Sequence, residues 1–147
     1  MTDRSVHHAT VVVERRYAAA PTRVFAAWAD PAVKAQWFTS ADDVYELVLR
    51  VGGWERISGT EPDGQPFRYE ATYYDVVPAQ RIVYAYEMYL AARRISVSLA
   101  TIEFTPDKAG TLLVCTEQGA FLDGLDTPAQ RQGGIASLLD RLGVVLS

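Results

Sequence analysis

Cysteine is almost absent from this chain. Cys115 is the only one in 147 residues, so no internal disulfide can form and nothing points to an oxidising compartment. Histidine is nearly as scarce, with His7 and His8 alone. They are adjacent to each other and far from Cys115, so the spacing of a metal site is missing and no metal is expected. Long apolar runs are missing too. No segment approaches the ~20 residues that a membrane span requires, and Met1 to His8 lacks the apolar core of a signal peptide. These absences predict a cytoplasmic protein. Basic charge is not in excess, since the formal net charge is -4. The basic residues are scattered among acids, which argues against a nucleic-acid partner. Neither Gly52-Gly53 nor Gly133-Gly134 fits a phosphate loop or a dinucleotide fingerprint, and no cofactor is expected.

What is present is ordinary globular material. Hydrophobic residues make up 49% and charged residues 22%, too apolar for disorder. Residues 1–8 are predicted to be a flexible tail and residues 9–147 a single domain. Val11 to Tyr17 reads as a strand. Pro21 opens a helix carrying Val24, Phe25 and Trp28 on one face, and Asp30-Pro31 breaks it before a second short helix that ends at Trp37-Phe38. Six strands follow: Val44 to Arg50, Trp54 to Ser58, Phe67 to Tyr74, Ile82 to Met88, Ile95 to Thr105 and Thr111 to Gln118. Gly52-Gly53 predicts a tight hairpin with positive φ at both positions. Thr127-Pro128-Ala129-Gln130 has the form of a capping box. The helix it opens carries Ile135, Leu138, Leu139, Leu142 and Leu146 as one stripe, with Arg131 and Arg141 elsewhere. Short turns between consecutive strands imply an antiparallel sheet, and one apolar-faced helix must cover it. The expected class is α+β. The Gly133-Gly134 pair in that helix predicts a close approach to the sheet, since glycine costs about 1 kcal/mol in a helix interior.

Together these pieces resemble a known family. They are Ala20-Pro21 with Val24 to Trp28, Asp30-Pro31 and Trp37-Phe38; Arg50 to Gly53; Val76-Val77-Pro78 with Arg81 to Tyr84; Thr116 to Gly124; and Arg131 to Leu142. The chain is similar, from about Ala9 onward, to bacterial homologues of the heat-shock-protein ATPase activator, within the START-like (SRPBCC) and polyketide-cyclase superfamily. Two positions depart from the pattern. Ile135 follows Gly134 where many relatives have tryptophan, which changes the cavity's shape. Val48 stands two residues before Arg50 where many have an acid, which removes one polar group.

The resemblance implies a helix-grip fold, a curved sheet wrapped around the long C-terminal helix, with a cavity between them. The residues expected to line it are Trp37, Trp54, Tyr69, Tyr84 and Tyr86, then Met88, Phe104 and Phe121, then Ile135, Leu138 and Leu139 on the helix. Each aromatic also fits an ordinary core. Tyrosine hydroxyls facing the cavity would need a partner and could orient a ligand. Alternation puts Glu70 and Glu87 on the outer face, as cross-strand partners of arginines. Glu117 is different, because it lies where the last strand ends, near the expected cavity mouth. Buried there, it would be a general base with a raised pKa, or the partner of Arg131 in a structural ion pair. The leading reading is binding of a small lipophilic molecule without bond chemistry. The alternatives are a cyclase or aromatase acting on a polyketide-like substrate, and a stress-related, co-chaperone-like interaction protein. Pairing of an exposed edge strand would give a homodimer.

Overall fold

Seven strands pair into one antiparallel sheet in the computed structural model, which describes residues 3–147. They are β1 (Val6–Tyr17), β2 (Val44–Leu47), β3 (Trp54–Thr60), β4 (Pro66–Val77), β5 (Arg81–Leu90), β6 (Arg93–Asp107) and β7 (Gly110–Leu122). Two short helices, α1 (Pro21–Ala29) and α2 (Pro31–Phe38), follow β1, and α3 (Pro128–Leu146) ends the chain. The spatial order is β1-β7-β6-β5-β4-β3-β2. The class is α+β, as the strand pattern implies. Among the described residues, no helix is long and apolar enough to cross a membrane.

Period-two patterning decides which face is inside. On β4, Tyr69, Ala71 and Tyr73 are buried while Arg68, Thr72 and Tyr74 are exposed. On β5, Ile82, Tyr84 and Tyr86 are buried. Glu70 and Glu87 point outward and pair with Arg68 and Arg94.

The N-terminus departs from the expected tail. β7 runs on to Leu122, so its edge offers free backbone groups, and Val6, His7 and His8 pair with Leu122, Phe121 and Ala120. Both histidines are thus part of the sheet; the first two residues of the expected tail lie outside the described residues. β2 is shorter than expected, ending at Leu47. Only Gly52 in the following turn has positive φ, at 81°. Gly53 is needed for a different reason: a Cβ there would lie 2.0 Å from the Val48 carbonyl oxygen. The turn is also pinned sideways, because the Gly52 N–H donates to Tyr73 O and the Tyr73 N–H to Gly53 O.

The helices are held by specific polar contacts. Asp30 ends α1 and caps α2, accepting the Ala32 N–H at 2.9 Å. The Trp37 indole donates to Ala27 O at 3.0 Å, tying α2 to α1. Trp28 meets Trp37 edge-on with ring centroids 4.9 Å apart, a favourable aromatic geometry. On α3, Thr127 accepts the Gln130 N–H at 3.1 Å. The reciprocal half of the capping box does not form, because the Thr127 N–H donates to Asp126 instead. Further along, the Tyr17 hydroxyl donates to Leu139 O and Arg23 to Leu146 O. These bonds fix α3 against β1 and α1, and its buried stripe is Arg131, Ile135, Leu139, Leu142 and Leu146. Arg131 therefore belongs to the stripe, at the i−4 position from Ile135, and does not lie elsewhere on the helix.

Candidate ligand cavity

Between the sheet and α3 lies a cavity of about 550 Å³, within the range of small-molecule sites. Its walls come from three sources. Trp28, Trp37 and Phe38 come from α1 and α2. Tyr69, Tyr84, Tyr86, Met88, Cys115 and Glu117 come from β4, β5 and β7. Arg131, Gly134, Ile135, Leu138 and Leu139 come from α3. Glu61, Asp126 and Gln130 add polar groups to the lining.

Eight of the eleven residues expected to line the cavity do so: Trp37, Tyr69, Tyr84, Tyr86, Met88, Ile135, Leu138 and Leu139. Three do not. Trp54 sits on the opposite face of the sheet beside Arg56, Glu70 and Thr72. The reason is parity: Ile57 points inward on β3, so Glu55 does too and Trp54 is turned out, with the Arg56 guanidinium 5.5 Å from its ring. Phe104 is packed edge-on against Phe25 and Trp28 in the core beyond the cavity. Phe121 is buried beneath the Arg131 guanidinium, 5.3 Å away.

Glu117 faces inward, in a buried network. The Tyr86 hydroxyl donates to Glu117 Oε1. Arg131 Nη1 lies 3.7 Å from the same oxygen and donates to Tyr86 Oη at 2.7 Å and Ser98 Oγ at 3.1 Å. Arg131 Nη2 donates to Ser96 Oγ at 2.7 Å and Asp126 Oδ2 at 2.8 Å. Burial pushes the Glu117 carboxyl above the usual range, opposed by Tyr86 and Arg131. The sequence reading named Glu117 and Arg131 but not Ser96, Ser98 or Asp126. The signal for Arg131 was its helical spacing from Ile135 and Leu139.

A second buried polar cluster stands behind the aromatic wall, and sequence reasoning missed it altogether. Lys34 Nζ lies 2.6 Å from Glu55 Oε2, and both side chains are 0% exposed. Tyr45, Tyr73 and Tyr69 donate to the same carboxylate at 2.5, 2.9 and 3.3 Å. The ammonium also sits 4.2 Å from the Phe38 ring centre and 4.9 Å from that of Trp28. Burial pulls the Lys34 pKa down, and Glu55 works against that. Tyr69 links the clusters: its hydroxyl serves Glu55 while its ring lies 4.8 Å from that of Tyr86.

Two polar atoms remain open. Among the described residues, the sealed side-chain atoms without a partner are Trp28 Nε1 and Trp54 Nε1. The Tyr84 hydroxyl and Glu117 Oε2 make no hydrogen bond and are not sealed, and both side chains line the cavity, so they open into it. Burial also raises the Tyr84 hydroxyl well above its ordinary pKa, so it stays a neutral donor.

Gly134 lines the cavity too, and a Cβ there would meet nothing within 4 Å. Close helix–sheet approach is therefore not why it is glycine. Gly134→Ala is expected to stabilise the protein by about 0.5–1 kcal/mol in urea denaturation, because it adds helix propensity without a clash.

A long C-terminal helix gripped by an antiparallel sheet, with a cavity between them, defines a helix-grip protein of the START-like (SRPBCC) superfamily. Residues 18–147 match the family described as Activator of Hsp90 ATPase homolog 1-like protein, and the chain belongs to that family. No curated protein matches the chain. Among solved structures it is similar to an uncharacterized protein from Rhizobium leguminosarum, at 44% identity over 97% of both chains with a TM-score of 0.92. It is also similar to the Mll3558 protein from Rhizobium loti, at 41% identity over 97% of this chain and 99% of that one, again with a TM-score of 0.92. Protein CV1439 from Chromobacterium violaceum shares the fold, at 24% identity and a TM-score of 0.75 over 94% of this chain and 97% of that one.

Proposed function

We propose that this protein binds a small, largely apolar molecule in its cavity without making or breaking a bond. The observation that carries this reading is the cavity itself: about 550 Å³, walled by aromatic and aliphatic side chains with a few convergent polar groups, the usual make-up of a ligand site. Native mass spectrometry of freshly purified protein tests it. The expected result is an adduct of a few hundred daltons that is lost on denaturation. Gly134→Phe, which places a ring in open space, should abolish the adduct while the fold survives. A clean apo mass, together with no uptake of apolar probes, would overturn the reading.

A second reading, a cyclase or aromatase, is favoured by one observation. Glu117 is buried in the cavity with one oxygen free, near a neutral tyrosine hydroxyl. Such a carboxylate is placed to move a proton. Turnover that Glu117→Gln abolishes, with binding intact, would favour it over simple binding. A stress-related role in contact with a chaperone rests on the family's description alone, and a pull-down that recovers no chaperone would remove it.

A further inference from the structure

We propose that the cavity selects apolar ligands whose head group donates hydrogen bonds and carries no negative charge, and that Glu117 is the selecting residue. This rests on the ligand-binding reading above. It begins with register. Tyr84 lies opposite Ala100, and Ala100 opposite Glu117, so the three form one row across β5, β6 and β7. Neighbouring strands are about 4.8 Å apart, which sets the two polar side chains roughly 10 Å apart at the backbone. Ala100 between them is small and fully buried. Ala100 itself does not line the cavity, whereas Tyr84 and Glu117 on either side of it do, so a head group in the cavity would have Glu117 Oε2 on one side and the Tyr84 hydroxyl on the other.

The state of each group then decides what can sit there. Glu117 Oε1 is taken by Tyr86 and faces Arg131, and both offer donors that favour the carboxylate form against the burial that disfavours it. Oε2 is left as a bare acceptor, and a buried acceptor without a partner is costly. A ligand donor satisfies it, whereas a ligand carboxylate would add a second acceptor of the same charge. Arg131 offers no remedy, because both ends of its fork are engaged, Nη1 by Tyr86 and Ser98 and Nη2 by Ser96 and Asp126. Lys34 is held against Glu55 and does not line the cavity. The charged lining residues are Glu61, Glu117 and Asp126 against Arg131 alone. An anion entering this low-dielectric space meets an excess of its own sign.

The test is calorimetric titration with four probes sharing one apolar body: methylnaphthalene, naphthylmethanol, naphthylmethylamine and naphthylacetate. The alcohol and the amine are expected to bind about tenfold or more tighter than the acetate, the discrimination that one unpaired buried polar group can enforce. In Glu117→Gln the gap between the amine and the acetate should shrink to about threefold or less, because the amide is uncharged. Glu61→Gln changes charge at an exposed position of the lining. It should improve acetate binding relative to methylnaphthalene about twofold. This second variant keeps the test decisive should Glu117→Gln fail to fold. Acetate binding as tight as the alcohol, or a gap that survives Glu117→Gln, would overturn the inference. Methylnaphthalene binding with no ranking among the head groups would sink the inference alone. No binding by any of the four would remove the cavity reading as well.

Discussion

Replacing Lys34 by methionine is expected to destabilise the protein by about 3–5 kcal/mol. The measurement is urea denaturation, and the change should appear in the midpoint rather than the slope. Lys34 and Glu55 are both fully buried, with their charges 2.6 Å apart. Forming such a pair gains little over an apolar one, because both ions lose their hydration. Breaking it is different, since methionine leaves the Glu55 carboxylate in a dry wall without a counter-charge. Tyr45, Tyr69 and Tyr73 still donate to that carboxylate, which softens the loss without cancelling it. Glu55→Gln added to Lys34→Met should therefore recover stability, because the amide keeps an acceptor for the tyrosines and drops the charge. A loss below about 1 kcal/mol for the single variant, the size of an exposed pair, would show that the three hydroxyls alone hold the carboxylate.

Arg131→Met is expected to cost a similar amount, and to lower the thermal midpoint by roughly 10 °C. The guanidinium is 7% exposed, and its two terminal nitrogens bond to Tyr86, Ser96, Ser98 and Asp126 while facing Glu117. Those partners come from β5, β6, β7 and the loop before α3, so a single side chain fastens the start of the helix to the sheet. Arg131→Lys should fall between wild type and methionine. An ammonium keeps the charge but lacks the flat fork that reaches all these partners. An unchanged midpoint in Arg131→Met would mean that the network does not couple helix to sheet.

Most of the fold was legible because it rests on patterns that repeat. The alternation of Tyr69, Ala71 and Tyr73, the helical spacing of Ile135, Leu139, Leu142 and Leu146, and the turn residues between strands each state one element and its buried face. The cavity's lining was legible to the extent that a residue's parity was visible. Tyr84, Tyr86 and Met88 alternate on one strand, and all three side chains line the cavity. Trp54 does not line the cavity because Ile57, three residues on, fixes the strand's parity the other way. Glu55 and Lys34 were invisible for another reason: charged residues read as surface unless a partner is seen, and theirs is distant in sequence. Arg131 was legible as a partner for Glu117 but not as a member of the buried stripe, because a charge four residues before Ile135 reads as surface. The N-terminal residues of β1 carry no pattern of their own, and what orders them is the length of β7.

The strand order has a consequence for how the molecule comes together. β1 and β7 are neighbours, with Val13 opposite Cys115 and Val6 opposite Leu122, so the first strand pairs with the last. Long-range pairing of this kind slows folding, because a large loop must close before the contact repays it. During synthesis β1 leaves the ribosome long before its partner exists, and its valines wait without cover. The other strands have no such delay, since β2 to β7 form a meander in which each can pair with the one just made. The strand order thus makes β1 the strand whose pairing spans the largest loop, while each pairing from β2 to β7 is local in sequence.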